Sequence, residues 1–191
     1  MDERVLGRYP KEVKLKDNST VTFRPLREED TEKLYEFFLT SVSEDDLMLL
    51  KDNVKDYNVV ENWCRNIDYD RVFPLLAERK EGRVLGNATL HRRDYGWSKE
   101  VAKIRVLTCA TCRGLGLGTA MARELLEVAQ LIGVEKVMAE VLSSQKAAMD
   151  ALEKLGFQKA ATIPKLARDY KGGEHDLHIY IYTIKPRWDE F

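Results

Sequence analysis

Three glycines at alternate positions, in Arg113-Gly114-Leu115-Gly116-Leu117-Gly118-Thr119-Ala120, are the residues of this chain that most plainly ask for a ligand. Without a Cβ in the way, a glycine backbone can curl until successive amides point at one spot. The stretch leads into a helical pattern, whose first turn adds unpaired N–H donors and a positive dipole end. A diphosphate is the natural occupant of such a cradle. A bare strand-to-helix turn would need fewer glycines. No Lys follows Gly118, so this is not the phosphate loop of an NTPase. A dinucleotide fingerprint would want glycine where Thr119 stands, and its turn would follow the strand at once, whereas Cys109 to Arg113 intervene. Glu140, on the next strand, could imitate the ribose-binding acid of that rival, which remains the weaker match.

The elements around this turn follow from hydrophobic period and punctuation. Val13–Leu15 and Val21–Phe23 flank Lys16-Asp17-Asn18-Ser19, a turn between two short strands. Glu28, Glu29 and Asp30 load the start of a helix that buries Leu34, Phe37 and Phe38, and a second helix is expected over about 54–67. Val72–Ala77 and Val84–Leu90 read as a hairpin about Glu81-Gly82, and Val101–Thr108 as the strand that feeds the glycine turn. From Gly116 to about Leu131 the apolar residues Met121, Leu125, Val128 and Ala129 recur at helical spacing and stop at Gly133. Val137–Leu142 is a strand. Ser144 is the expected N-cap of a helix carrying Met149, Leu152 and Leu155 and closed by Gly156. Two strands, near 157–163 and 177–184, complete an α/β (α+β) domain with one twisted mixed sheet.

Composition sets the outer limits. The 191 residues are enough for one domain with a proper core, and no linker, repeat or low-complexity stretch divides them. With 44% hydrophobic and 33% charged residues the chain is globular, and its net charge of −1 gives no bulk attraction to nucleic acid or an anionic membrane. Cys64, Cys109 and Cys112 cannot build a disulfide framework, and Met1–Pro10 has no apolar run, so a cytoplasmic setting without a signal peptide or membrane span is expected. The Cys109-x-x-Cys112 spacing lacks a second pair of ligands for zinc and is read as coincidence. His175-Asp176-Leu177-His178 reads as a turn and strand edge rather than a metal site, so no metal is expected.

The loop and a second segment together resemble the GCN5-related N-acetyltransferase (GNAT) family. Arg113, Gly116 and Gly118 match the family's acyl-CoA loop, Gln/Arg-x-x-Gly-x-Gly/Ala. Ala139-Glu140-Val141-Leu142-Ser143-Ser144-Gln145-Lys146-Ala147-Ala148, running on to Glu153-Lys154-Leu155-Gly156-Phe157, matches its second signature. Val21–Leu26 and Asp30 look like its first strand and helix, so the resemblance covers roughly 21–184. It implies a single N-acetyltransferase domain over 1–191, with a core of about 20–184. The implied cosubstrate is acetyl-CoA and the implied partner an amine, either a small molecule or a protein amine; a homodimer is left open.

Carried over residue by residue, Val106, Leu107 and Thr108 would hold pantetheine through main chain, in a strand that splays from its neighbour. Gly114, Leu115, Gly116, Leu117, Gly118 and Thr119, with Arg113, would hold the diphosphate, and Gln145 stands where the family has Asn. Valine at position 116 or 118 is expected to block CoA with the fold intact. An amine attacking a thioester must lose a proton. Glu140 matches the glutamate of the Leu-Glu-Val-Arg-x-Ser-Asn pattern in the family's ribosomal-protein alanine acetyltransferases and is the expected base; a strand glutamate merely paired with Lys or Arg is the plain alternative. His91, Asp94 and Glu100 are lesser candidates. The tyrosine that usually protonates the departing thiolate falls at Leu152, leaving Tyr170 as the expected substitute, near Gly172-Gly173 and Asp176. That loss is also what an acyl-CoA-binding sensor without turnover would display.

Overall fold

A computed structural model describes residues 3–47, 50–169 and 171–184. In chain order the elements are α1 (Glu3–Leu6), β1 (Lys11–Lys14), β2 (Thr20–Pro25), a 3-10 turn (Glu28–Asp30), α2 (Thr31–Thr40), α3 (Glu44–Leu47), α4 (Tyr57–Arg65), β3 (Val72–Glu78), β4 (Val84–His91), β5 (Val101–Thr108), a second 3-10 turn (Ala110–Cys112), α5 (Leu117–Leu131), β6 (Lys136–Leu142), α6 (Lys146–Lys154), β7 (Gln158–Arg168) and β8 (Glu174–Thr183). The strands form one sheet in the order β1-β2-β3-β4-β5-β6-β8-β7. Every pairing is antiparallel except β5 with β6, which α5 connects as a crossover helix.

Side chains alternate across the sheet, so register decides which residues meet each layer. On one face Gly86 of β4 lies under Met121 of α5, and a Cβ on Gly86 would come within 2.6 Å of the Met121 sulfur. A side chain at position 86 would force the Met121 side chain to move and would crowd the Leu107 carbonyl at 3.2 Å. Met121, Leu125, Val128 and Ala129, the periodic residues of α5, are all fully buried there. The other face takes α2, anchored by a buried network. Arg24 donates to both oxygens of Asp30 (2.6 and 2.7 Å) and to Glu78 (2.8 Å), and the Asp30 carboxylate accepts the Arg27 amide. Burial pushes the Asp30 carboxyl up, and the Arg24 and Arg27 hydrogen bonds more than offset it, leaving it below the usual range. The resemblance in Arg24 and Asp30 therefore marks the joint between the first long strand and its helix.

Three sequence expectations need adjustment. The N-cap of α6 is Gln145, not Ser144. The short helices α1 and α3, a single turn each, were not foreseen because four residues carry no readable period. Cys109 and Cys112, expected to be an accident of spacing, are joined by a disulfide across the second 3-10 turn and tie the end of β5 to the glycine turn.

Candidate active site

The crossover between β5 and β6 is where the sheet opens. The two strands pair from Val101↔Lys136 to Ile104↔Ala139 and no further. Beyond that rung β5 stays hydrogen-bonded to β4 (Arg105↔Thr89 through Thr108↔Gly86), and β6 to β8 (Glu140↔Ile179 through Leu142↔Leu177). Each strand is thus held from its outer side while the inner edges part. The main-chain groups of 105–108 on the β6 side are left without a ladder partner among the described residues.

At the wide end of the gap stands the glycine turn. Gly114 and Gly116 have φ of +81° and +83°, a region L side chains enter at a cost of about 1–2 kcal/mol. Gly116 is the N-cap of α5. The amides of Gly114, Gly116, Leu117, Gly118 and Thr119 find no acceptor among the described residues; in this turn only the Arg113 and Leu115 amides do. Five free donors around one helix N-terminus fit a diphosphate. Lys16, which the sequence did not single out, belongs here too. Its amide donates to the Leu115 carbonyl (3.2 Å), its stem lies 3.4 Å from where a Cβ of Gly116 would stand, and its ammonium has no carboxylate partner among the described residues. No sequence signal links a hairpin turn at Lys16 to a loop a hundred residues on.

The expected cradle residues divide by role. Val106 and Thr108 point toward α5, their methyls 3.9 and 3.7 Å from a Cβ built on Gly118, so their contribution to the gap is main chain. Leu107 faces the other way, opposite Asn87. Arg113 turns outward to Asp46 (2.8 Å) and Ser43 (3.0 Å) of the α3 turn. Gln145 accepts the Leu142 amide (3.0 Å) and closes the β6–α6 connection. The two glycines offered for substitution also differ. Gly116 needs its positive φ, so valine there strains the protein itself, whereas Gly118 lies inside α5 with ordinary room for a Cβ.

At the narrow end lies a polar cluster on the face away from α5. Glu140 is the first β6 residue past the last paired rung, and its Oε2 forms an ion pair with Lys103 of β5. The plain alternative, a strand glutamate paired with a lysine, is what the structure shows, and Lys103 claims one oxygen while Oε1 is left without a partner among the described residues. His91 pairs across from Lys103, and its Nε2 lies 2.9 Å from the Thr89 hydroxyl. Burial first, then the charges of Arg105 and Lys103, push its pKa down from 6.5 to about 4, so the imidazole is neutral near pH 7. Glu100 stands at the foot of β5 against Lys99 (3.7 Å) and Asp94 in the β4–β5 connection, both away from the gap.

Tyr170 lies outside the described residues. Leu152 is buried in the core and offers no hydroxyl. Tyr180, the fully buried tyrosine of β8, donates to Glu153 (2.9 Å), and desolvation and that hydrogen bond push its pKa up to about 12. The histidines of the 175–178 stretch are both engaged, His175 with Asp169 (2.8 Å) and His178 with Thr162 (2.9 Å). Among the described residues no three His, Cys, Asp or Glu side chains gather as for a metal ion, and no helix is long and apolar enough to cross a membrane.

Comparison with known proteins gives this fold a family. Residues 20–158 match the family model for the acetyltransferase (GNAT) domain. This protein belongs to the GNAT family. The chain is similar in structure to an N-acetyltransferase from Staphylococcus aureus Mu50, with a TM-score of 0.74 at 18% identity, covering 87% of this chain and 100% of the other. YncA of Salmonella typhimurium, an acetyltransferase by name solved with its cofactor acetyl-CoA, gives 0.70 at 20% identity, with 88% and 96% covered. At these identities both likenesses speak for the fold. In sequence the chain is 29% identical over 80 residues to YwnH of Bacillus subtilis (strain 168), by name a phosphinothricin acetyltransferase; the match spans 42% of this chain and 48%, about half, of that relative.

Proposed function

We propose that this GNAT protein transfers an acetyl group from acetyl-CoA to an amine, with Glu140 receiving the amine's proton. The observation that carries the reading is the coincidence, at one strand gap, of free main-chain amides and a carboxylate with one oxygen to spare. The amides of Gly114 and Gly116 to Thr119 would hold the diphosphate, with Lys16 adding a cation, and the open edge of Val106–Thr108 would run beside pantetheine. That YncA was solved with acetyl-CoA supports this choice of ligand. When bound, the thioester supplies the acetyl group, and a thiolate is a leaving group that departs tolerably without an acid.

The chain's own work is then positional and acid–base. Glu140 sits one residue past the last β5–β6 rung, beside the point where the strands part. Lys103 fixes its carboxylate, and Oε1 is left to take a proton from an approaching ammonium directly or through one water. Oxyanion stabilisation falls to main-chain amides along the open edge of β5. The acceptor, a small molecule or a protein amine, enters from the face of Glu140 and His91, opposite α5.

The test is calorimetric titration with acetyl-CoA and with NAD, followed by thiol release across a panel of amines. Binding of acetyl-CoA alone, with thiol release on at least one amine, is expected. Binding with no release on any acceptor would point to a sensor, and binding of NAD alone would overturn the reading.

A further inference from the structure

The inference concerns the acceptor and rests on the acetyl-transfer reading above. We infer that the acceptor amine carries a carboxylate, which Arg105 binds beside the gap. Arg105 is the first β5 residue past the last rung shared with β6, as Glu140 is the first on β6. Both belong to the face away from α5. Arg105 lies opposite Thr89, two positions along the strand from Lys103, which pairs with Glu140. The chain therefore presents a carboxylate and a guanidinium at the level where its strands part.

The charges on this face do not balance from within. Lys103 is matched by Glu140, His91 is neutral, and Arg105, half-buried, has neither a carboxylate nor a hydrogen-bond acceptor among the described residues. Other arginines on or beside the sheet are claimed, Arg24 by Asp30 and Glu78, and Arg92, just past the end of β4, by Asp70. A guanidinium partly removed from water without an anion is unfavourable unless a ligand supplies one.

A second, independent vacancy lies next to it. Asn87, 8% exposed, occupies β4 on the same face two residues from Thr89, and its Nδ2 has no acceptor. Buried amide groups in native proteins are paired as a rule, so this one also awaits a partner. The free groups of Arg105 and the buried Nδ2 of Asn87 are donors, which do not recognise an ammonium. Glu140 does. An amine and a carboxylate close together on one molecule, as in an α-amino acid, are complementary to the facing pair: the carboxylate to the fork of Arg105 with Asn87 beside it, the amine to Oε1 of Glu140. A protein N-terminus has no such carboxylate, so the inference favours a small acceptor.

The experiment offers L-α-amino acids, each paired with its own amide, to wild type, Arg105→Gln and Arg105→Lys, measuring thiol release and, separately, acetyl-CoA Kd. For wild type, kcat/KM for the acids should exceed that for the amides at least ten-fold. Arg105→Gln should raise the KM of the acid at least ten-fold with kcat nearly unchanged, leave the amides as they were, and leave the acetyl-CoA Kd within two-fold. Arg105→Lys should recover part of the loss. Amides turned over as well as acids, or a variant that slows both alike, would overturn the inference while leaving acetyl transfer standing. Loss of acetyl-CoA binding in Arg105→Gln would assign the residue to the cosubstrate and overturn it too. Failure of wild type to bind acetyl-CoA at all would instead defeat the reading beneath it.

Discussion

Replacing Gly118 by alanine separates what the fold needs from what the ligand needs. Gly118 is the second residue of α5, and a Cβ there would stand 3.7 Å from the Thr108 methyl and 3.9 Å from Val106, ordinary contact distances. Its φ is not in the left-handed region, so no backbone strain opposes the change. Alanine in place of glycine in a helix is worth up to about 1 kcal/mol. In a domain of this size that raises Tm by roughly 2–4 °C. If the glycine existed for packing, nothing else should follow. If it exists so that a diphosphate can reach the amides of Gly116 to Thr119, the methyl holds the ligand off. Losing one charge-assisted hydrogen bond costs about 1.5–3 kcal/mol, a roughly ten- to hundred-fold rise in Kd. Stability and affinity should therefore move in opposite directions, read by thermal denaturation and by titration with acetyl-CoA. A more stable protein with unchanged affinity would refute the argument. Gly116→Ala cannot serve instead, because at φ +83° it lowers both together.

Glu140→Gln keeps the shape but cannot take a proton, and kcat should fall by about 10²–10⁴ with acetyl-CoA affinity preserved; near-normal turnover would remove Glu140 from the chemistry. Asp30→Asn breaks a buried network at a position 2% exposed and should cost about 3 kcal/mol by chemical denaturation. Because the folded Asp30 carboxyl lies below its unfolded value of 3.8, its contribution is present above that pH and is lost as pH falls through the folded pKa; the variant should lack that acid-limb loss. His91 works in a higher window. Its pKa is about 4 folded against 6.5 unfolded, so the unfolded chain binds the extra proton and stability should decline as pH drops from 6.5 toward 4. His91→Gln should flatten that decline in pH-dependent melting, and an unchanged slope would contradict the burial of His91 opposite Lys103 and near Arg105.

The sequence by itself determined the longer elements and the glycine turn between β5 and α5. Periodicity placed β5 at Val101–Thr108 and α5 to within a residue, because an apolar stripe and a stop at Gly133 are local facts. The glycine turn was legible for the same reason: three alternate glycines mark a backbone free of Cβ atoms, although only Gly114 and Gly116 turn out to use positive φ. The parting of β5 from β6 was not, since strands separate only when other partners, here β4 and β8, hold their outer edges. Nor could spacing reveal that Lys103 would pair with Glu140, that Lys16 would lie over Gly116, or that Arg105 and Asn87 would be left without partners. Those are statements about which faces and edges meet across the sheet. Register and crossover settle them, and both are properties of the folded chain as a whole.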